Sequence, residues 1–259
     1  MGGSLALALK QKSKSLRIFG VSRDSKKIQL AIKNRIIDQG SVNLRDIPRD
    51  ADLVVIATPI PQIVPTAIAL DKLLKNKTLI TDVGSTKVQI VEKLKKIRFV
   101  GSHPMAGDHE SGLSAARADL YKNALVFITR EHASPSDIKK LESFWKTAGA
   151  NRLIVLGAKD HDRIVGEISQ IPHLAATALT LCASPADILL SGPGFKDSTR
   201  IAQGDPDLWL GIISSNKNLI SQLAHLEKQI RKIKSLIQRK EWSSLRALLR
   251  KASRRRRSL

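Results

Sequence analysis

Three short clusters hold residue types that do chemistry when brought together. The first, Asp82-Val83-Gly84-Ser85-Thr86-Lys87, closes an apolar run and opens a helical stretch. The second runs Gly101-Ser102-His103-Pro104-Met105-Ala106-Gly107 and continues through Asp108-His109-Glu110-Ser111-Gly112. The third is Gly192-Pro193-Gly194-Phe195-Lys196-Asp197-Ser198-Thr199-Arg200-Ile201-Ala202, followed by Asp205-Pro206 and Trp209. A smaller piece, Ser169-Gln170-Ile171-Pro172-His173, precedes it. A neutral imidazole accepts a proton or hydrogen bond near neutral pH, and a guanidinium holds a carboxylate through two parallel hydrogen bonds. Taken singly, each residue has a plainer account. His103 or His173 could be a buried structural histidine, Ser85 a helix N-cap, and Arg200 a surface charge in a basic protein.

The elements that must position these clusters are legible as apolar runs bounded by turn residues: Leu16–Val21, Ala51–Thr58, Thr78–Val83, Arg98–His103, Ala124–Thr129 and Asn151–Leu156. Several are almost continuously apolar, as strands buried on both faces of a parallel sheet are. Helical patterns separate the early ones, over Ser4–Lys12, Ser25–Gln39, Pro61–Lys75 and Thr86–Lys96. That alternation predicts an α/β domain with a Rossmann-type doubly wound parallel sheet over residues 1–157. His103 then stands at the C-terminal end of a strand, where ligands of open α/β sheets bind. After Gly157 the strand signals stop, and an all-helical domain is expected over 158–251. Asp160–Cys182 reads as one long helix, and Leu219, Leu223, Leu226, Ile230, Ile233 and Ile237 form a seam at coiled-coil spacing.

Composition narrows the class. The 259 residues carry 44 Lys+Arg against 23 Asp+Glu, a net charge of +21, with 42% hydrophobic residues. That hydrophobic content excludes a disordered chain. The lone Cys182 excludes a disulfide framework and a multi-cysteine zinc or iron–sulfur site, so no metal is expected. No apolar run reaches the roughly 18 residues a membrane span needs. A soluble, cytoplasmic, basic protein remains. A charge of this size first points to nucleic acid, but it is unevenly placed. Lys228 to Leu259 holds thirteen basic residues and one acid, ending in Arg254-Arg255-Arg256-Arg257. No aromatic residues are interleaved with those arginines, so residues 252–259 are expected to be a solvated, partly frayed basic tail.

A dinucleotide-binding fold opens with a strand, a G-x-G-x-x-G turn and a helix whose N-terminus faces the pyrophosphate. Here Gly2-Gly3-Ser4 leads directly into Leu5-Ala6-Leu7-Ala8-Leu9, and the ribose-reading position falls about 20 residues on, at Ser22. The chain therefore reads as starting inside the fingerprint, without the first strand and the first two glycines. Ser22-Arg23, with Lys26 and Lys27 nearby, offers a hydroxyl and cations to a 2′-phosphate, which favours NADP over NAD. Asp24, two residues beyond Ser22, complicates that reading.

Together the G-S-H-P-M-A-G block (101–107) and the G-F-K-D-x-T-R-I-A block (194–202) closely resemble the prephenate/arogenate dehydrogenase family of tyrosine biosynthesis, in order and spacing, from Gly2 to about Leu249. Val21-Ser22-Arg23 and the closing helix followed by Glu241-Trp242 resemble its NADP-using arogenate members in particular. The resemblance implies a Rossmann domain ahead of a helical, dimer-forming domain, and oxidative decarboxylation of a cyclohexadienol with hydride transfer to NAD(P). It assigns His103 as the base or hydrogen-bond acceptor for the ring hydroxyl and Ser85 as its polar partner near the nicotinamide. It selects Arg200 for a substrate carboxylate and makes His173 a second substrate contact. Trp209 and Asp197 support the site, and Asp197 could orient Arg200 or cap a helix. Gly2, Gly3, Ser22, Arg23, Thr58 and Pro59 are the implied cofactor contacts, and the implied partner is a second copy, a homodimer.

Three positions depart from the family pattern. Gln170 stands where a histidine is common, and Pro193 where a glycine is usual. His109, flanked by Asp108 and Glu110, occupies the place of an acidic residue and is carried as a substrate contact. Arogenate's additional ammonium would favour a carboxylate such as Asp108 or Glu110, which leans the reading to arogenate. Two alternatives remain open: another NADP-dependent two-domain dehydrogenase, and a basic nucleic-acid-binding protein.

Overall fold

The computed structural model describes residues 1–13, 15–75, 77–107 and 112–259. His109, Asp108 and Glu110 lie outside the described residues. The chain divides into two compact units, residues 1–216 and 217–259.

The first unit begins α1 (Gly2–Lys12), β1 (Phe19–Val21), α2 (Ser25–Lys33), β2 (Gln39–Ser41), β3 (Leu53–Ile56), α3 (Ile60–Asp71), β4 (Leu79–Asp82) and α4 (Val88–Lys93). It continues with β5 (Ser102–Pro104), β6 (Leu125–Thr129), α5 (Pro135–Thr147) and β7 (Arg152–Leu156). Each expected apolar run holds a strand: β3 and β4 are shorter than their runs at both ends, β1, β6 and β7 reach the ends of theirs, and β5 passes its run by one residue, Pro104. Pairing is parallel for β1–β2, β3–β4 and β6–β7, as the buried apolar runs predict. The β5–β6 pair is antiparallel, which corrects the all-parallel expectation. The connection from Pro104 to Leu125 contains no crossover helix among the described residues, and an antiparallel neighbour does not need one. No apolar run marks β2, because Gln39-Gly40-Ser41 carries no apolar side chain.

The strands fall into three hydrogen-bonded groups, β1-β2, β3-β4 and β5-β6-β7. A parallel bridge from Ile80 to Phe99 and the bond from the Val100 N–H to the Ile80 carbonyl (3.0 Å) lead β4 towards β5. Among the described residues nothing pairs β1 with β3, the place a central first strand occupies in a doubly wound sheet. The largest core cluster joins Leu5 and Leu9 of α1, Val126 and Ile128 of β6, and Leu141 and Trp145 of α5. Helix α5 starts where Ser134 accepts the Asp137 N–H (3.1 Å) and Pro135 takes the first turn, where a missing N–H costs nothing.

Helices complete this unit: α6 (Ala158–Val165), α7 (Ile171–Cys182), α8 (Pro185–Leu189), α9 (Pro193–Thr199) and α10 (Pro206–Ser215). The long helix expected over 160–182 is interrupted by a π turn at Gly166–Gln170. Pro172 has no N–H to give the Ile168 carbonyl and its ring crowds that oxygen, so the backbone widens just before it. Helix α6 packs on α4 and α10 on α3.

The second unit is a helical pair, α11 (Leu219–Gln238) and α12 (Trp242–Arg257). The seam residues of α11 fall on one helix as their spacing predicts, and Ile230, Ile233 and Ile237 remain exposed in the single chain. The arginine run corrects the expectation of a frayed tail: Arg254–Arg257 form the last turn of α12. Cations at a helix C-terminus interact favourably with its partial negative charge, which supports a helical end despite their mutual repulsion.

Candidate active site

Strand β5 delivers His103 into a buried polar network. Asp82, the last residue of β4, accepts the Ser102 N–H (3.1 Å) on one carboxylate oxygen and the Gly84 N–H (2.9 Å) on the other. The Ser102 hydroxyl meets Thr81 Oγ1 at 2.8 Å and accepts from the Trp145 indole N–H at 3.1 Å. With Ser102 clamped on one side of the strand, alternation turns His103 to the other. There its ring is 6% exposed, with Phe127 directly opposite in the β5–β6 ladder.

The Nδ1 atom of His103 lies 2.9 Å from Nε2 of His161, in the first turns of α6. His161 Nδ1 in turn lies 2.7 Å from Asp162 Oδ1. Asp162 also accepts the backbone N–H groups of Lys87 (2.7 Å) and Val88 (3.0 Å), where α4 begins. Phe127 packs edge-on against the His161 ring, with centroids 5.4 Å apart. Helix α6 is held at its start by Glu131, whose carboxylate accepts the Ala158 N–H (2.7 Å). At its far side the Asn216 amide donates to the Asp162 carbonyl (2.8 Å) and to Gln170 Oε1 (2.7 Å).

Beneath the histidines Lys87 and Asp82 form a fully buried ion pair. Burial pulls the Lys87 ammonium below its ordinary range, and the Asp82 carboxylate opposes that pull. A Cβ on Gly101 would stand 2.9 Å from Lys87 Cδ, so this glycine leaves room for the lysine stem. Burial, and next the neighbouring His161 and Lys87, hold His103 well below the usual imidazole range. Burial likewise lowers His161, against the opposing pull of Asp162. Both rings are therefore neutral at pH 7, and the site offers an uncharged proton acceptor.

Ser85 sits half-buried between Gly84 and Thr86 and makes no hydrogen bond among the described residues. The partner of His103 is His161 rather than Ser85, and the N-cap of α4 is Lys87 rather than Ser85. Asp82 and Lys87 stand at the two ends of the first cluster, where the motif gives a role to Ser85 alone, and no motif marks His161 or Asp162. The available signal was a histidine and aspartate at the start of the long helix, Asp160-His161-Asp162, following the last strand.

A second cluster forms around His173 in α7. Its ring stacks on Trp209 of α10, with centroids 3.5 Å apart and planes within 9°. Burial lowers its pKa, the backbone of Ile201 opposes this, and Nδ1 is buried with no partner among the described residues. Trp209 thus supports His173 directly. Gly204 makes the stack possible, because a Cβ there would lie 2.3 Å from Trp209 Nε1 and 3.4 Å from the His173 ring. Gly204→Ala is expected to push the indole off the imidazole and cost about 1–3 kcal/mol, as overpacking does. A thermal melt checks this, and an unchanged midpoint would show that the turn yields instead.

Arg200 opens the short 3₁₀ turn Arg200–Gln203 after α9; it is exposed and has no ion pair among the described residues. Asp197 is also exposed, and it neither pairs with Arg200 nor caps a helix, so its expected orienting role finds no contact here. No hydrogen bond or ring contact joins the His173 cluster to His103 among the described residues.

At the opposite edge of the site α1 starts at Gly2. A Cβ on Gly3 would meet Leu113 Cδ1 at 2.9 Å and Ala116 Cβ at 3.1 Å, the close packing asked of a fingerprint glycine. Asp24 caps α2, accepting the N–H groups of Lys26 (2.9 Å) and Lys27 (3.3 Å). Arg23 is left exposed beside a half-buried Ser22. Thr58 and Pro59 are exposed beyond β3, with Pro59 the N-cap of α3. These residues fit a pyridine nucleotide: a glycine-opened helix, and a hydroxyl and a cation after β1.

The family model described as prephenate dehydrogenase, nucleotide-binding domain, matches residues 5–154, and that of the prephenate dehydrogenase dimerization domain matches 157–251. Prephenate dehydrogenase of Bacillus subtilis is 30% identical over 95% of this chain and 70% of its own length. That of Lactococcus lactis is 33% identical over 90% of this chain and 67% of its own. The crystal structure of Aquifex aeolicus prephenate dehydrogenase in complex with hydroxyphenyl propionate and NAD+ superposes with a TM-score of 0.91, at 30% identity, covering 99% of this chain and 93% of that one. Synechocystis arogenate dehydrogenase gives 0.84 at 28% identity, covering 98% and 94%. A Rossmann-like, nucleotide-binding half that uses a pyridine nucleotide is followed by helices, and the chain belongs to the prephenate dehydrogenase family.

Proposed function

We propose that the chain oxidatively decarboxylates prephenate or arogenate in tyrosine biosynthesis, with NADP as the favoured oxidant. The observation that carries this reading is a neutral, buried imidazole, His103, in the middle of strand β5 in a chain of this family. When bound, a pyridine nucleotide supplies the hydride acceptor. His103 accepts the hydrogen bond of the ring hydroxyl as carbonyl character builds at its carbon, and returns the proton to the phenol oxygen of the product. Hydride leaves that carbon, the bond to the ring carboxylate breaks, and its electron pair closes the aromatic ring as carbon dioxide departs. Aromatisation drives the step, so the protein has chiefly to position the reacting groups.

Arg200 receives a substrate carboxylate, and His173, held flat by Trp209, is a second substrate contact. His109 is a further substrate contact. The carboxylates of Asp108 and Glu110 favour arogenate, whose ammonium they would meet. Residues 1–157 bind the nucleotide, with Gly2, Gly3, Ser22, Arg23, Thr58 and Pro59 along its path. Residues 158–251 carry the substrate contacts and a homodimer interface, supported by the exposed seam of Ile230, Ile233 and Ile237. The enzyme works in the cytoplasm, and no helix among the described residues is long and apolar enough to cross a membrane.

Assaying both substrates with both nucleotides tests the whole reading. Turnover is expected with at least one substrate, and the Michaelis constant for NADP should be lower than that for NAD. No turnover in any combination would overturn the assignment, and a clear NAD preference would remove the NADP choice alone.

A further inference from the structure

We propose that Asp162 and His161 are positioning residues that hold the His103 imidazole in a single tautomer, with its proton on Nδ1 and Nε2 left bare for the substrate hydroxyl. This rests on the dehydrogenase reading for its purpose, though the hydrogen-bond logic stands on the folded chain alone.

The logic runs inward from the carboxylate. Asp162 already collects two backbone N–H groups, from Lys87 and Val88, and its oxygens face the third partner as acceptors. His161 Nδ1, at 2.7 Å from Oδ1, must carry a hydrogen, since two lone pairs would otherwise meet. A neutral ring with its proton on Nδ1 has a bare Nε2. That bare nitrogen faces His103 Nδ1 at 2.9 Å, so Nδ1 of His103 is the donor and Nε2 of His103 is the acceptor.

The surroundings oppose the competing states. A proton added to either ring would sit near the Lys87 ammonium, and both rings are held neutral chiefly by burial. The charged groups around the pair are Lys87, Asp82 and Asp162, and Phe127 packs against both imidazoles. Asp82 engages Lys87, which leaves Asp162 as the carboxylate bonded to the histidines. The helix α6 N-terminus and the start of α4 are both pinned to this unit, so the tautomer is set by backbone as well as by side chains. During the reaction the proton taken up at Nε2 leaves a cation that Nδ1–H shares with His161 and, through it, Asp162.

Two measurements test this on the full chain. Nitrogen-15 NMR of histidine-labelled protein, assigned with the His103→Asn variant, should show His103 protonated at Nδ1 and bare at Nε2 near pH 7. In parallel, His161→Leu removes the acceptor and should lower kcat by roughly 10²-fold with KM within about twofold. His161→Gln, whose amide oxygen reaches the place of the ring nitrogen, should recover most of that loss. A His103 proton found on Nε2 in the unaltered protein overturns the proposal. So does a folded His161→Leu variant with kcat within about threefold of the parent. Should that variant fail to fold, the NMR result on the unaltered chain decides. An unaltered enzyme inactive on every substrate would defeat the functional reading while leaving the tautomer measurement to stand or fall separately.

Discussion

Replacing His103 by asparagine is expected to lower kcat by about 10²–10⁴-fold, the range spanned by a positioned acid or base. Asparagine keeps a polar group opposite His161 and is smaller than the ring it replaces, so the fold should persist, which a melting curve would verify. Its amide cannot take up the hydroxyl proton at any ordinary pH. Near-normal turnover in a folded His103→Asn variant would refute the assigned role. The pH profile supplies an independent check. Burial depresses the His103 pKa, so the base stays deprotonated as pH falls through 6.5, and activity is lost only as pH drops through its lower folded value. An acid limb at or above the usual imidazole range would contradict the buried geometry. Stability carries the same sign: a histidine whose folded pKa lies below its unfolded value contributes stability that is present above the unfolded value and lost as pH falls towards the folded one.

The second large effect is structural. Lys87→Met should destabilise the fold by about 3–5 kcal/mol, because it leaves the Asp82 carboxylate buried without its cation. The two backbone N–H groups that Asp82 accepts, from Gly84 and Ser102, keep it partly satisfied and place the loss within that range rather than beyond it. Removing both charges, as Lys87→Met with Asp82→Asn, should recover much of the stability, because a buried ion pair contributes little net and its cost lies in being half-removed. Denaturant unfolding of the two single variants and the double variant measures the coupling directly. A Lys87→Met variant within about 1 kcal/mol of the parent would mean that the carboxylate finds water or a proton instead.

How much of this was legible before folding follows from the range of each signal. The strand runs are local, and five of the six strands they mark lie wholly inside them. The sixth, β5, starts inside Arg98–His103 and passes its end by one residue, to Pro104. Strand β2 was missed because its residues carry no apolar pattern, and the antiparallel β5–β6 pair because direction is a property of the partner. The clusters holding His103, Arg200, His173 and Trp209 were readable as motifs, and the pairing of His173 with Trp209 confirms that two of them meet. Asp197 shows the opposite case, a motif residue that faces solvent.

The sequence by itself determined the class of fold, the nucleotide-binding half and the family, and it singled out the histidine to which the proposed chemistry is assigned. Those depend on composition, periodicity and short motifs, which a chain carries whether folded or not. Tertiary structure alone decided what surrounds that histidine. His103 meets a partner 58 residues away and Asp162 reaches back 75 residues to the start of α4. It also made Asp24 a helix cap, and turned the arginine tail from a frayed end into the last turn of a helix. The physical reason is that protonation, tautomer and burial belong to the contact and its dielectric surroundings, and those exist only once distant segments have packed together.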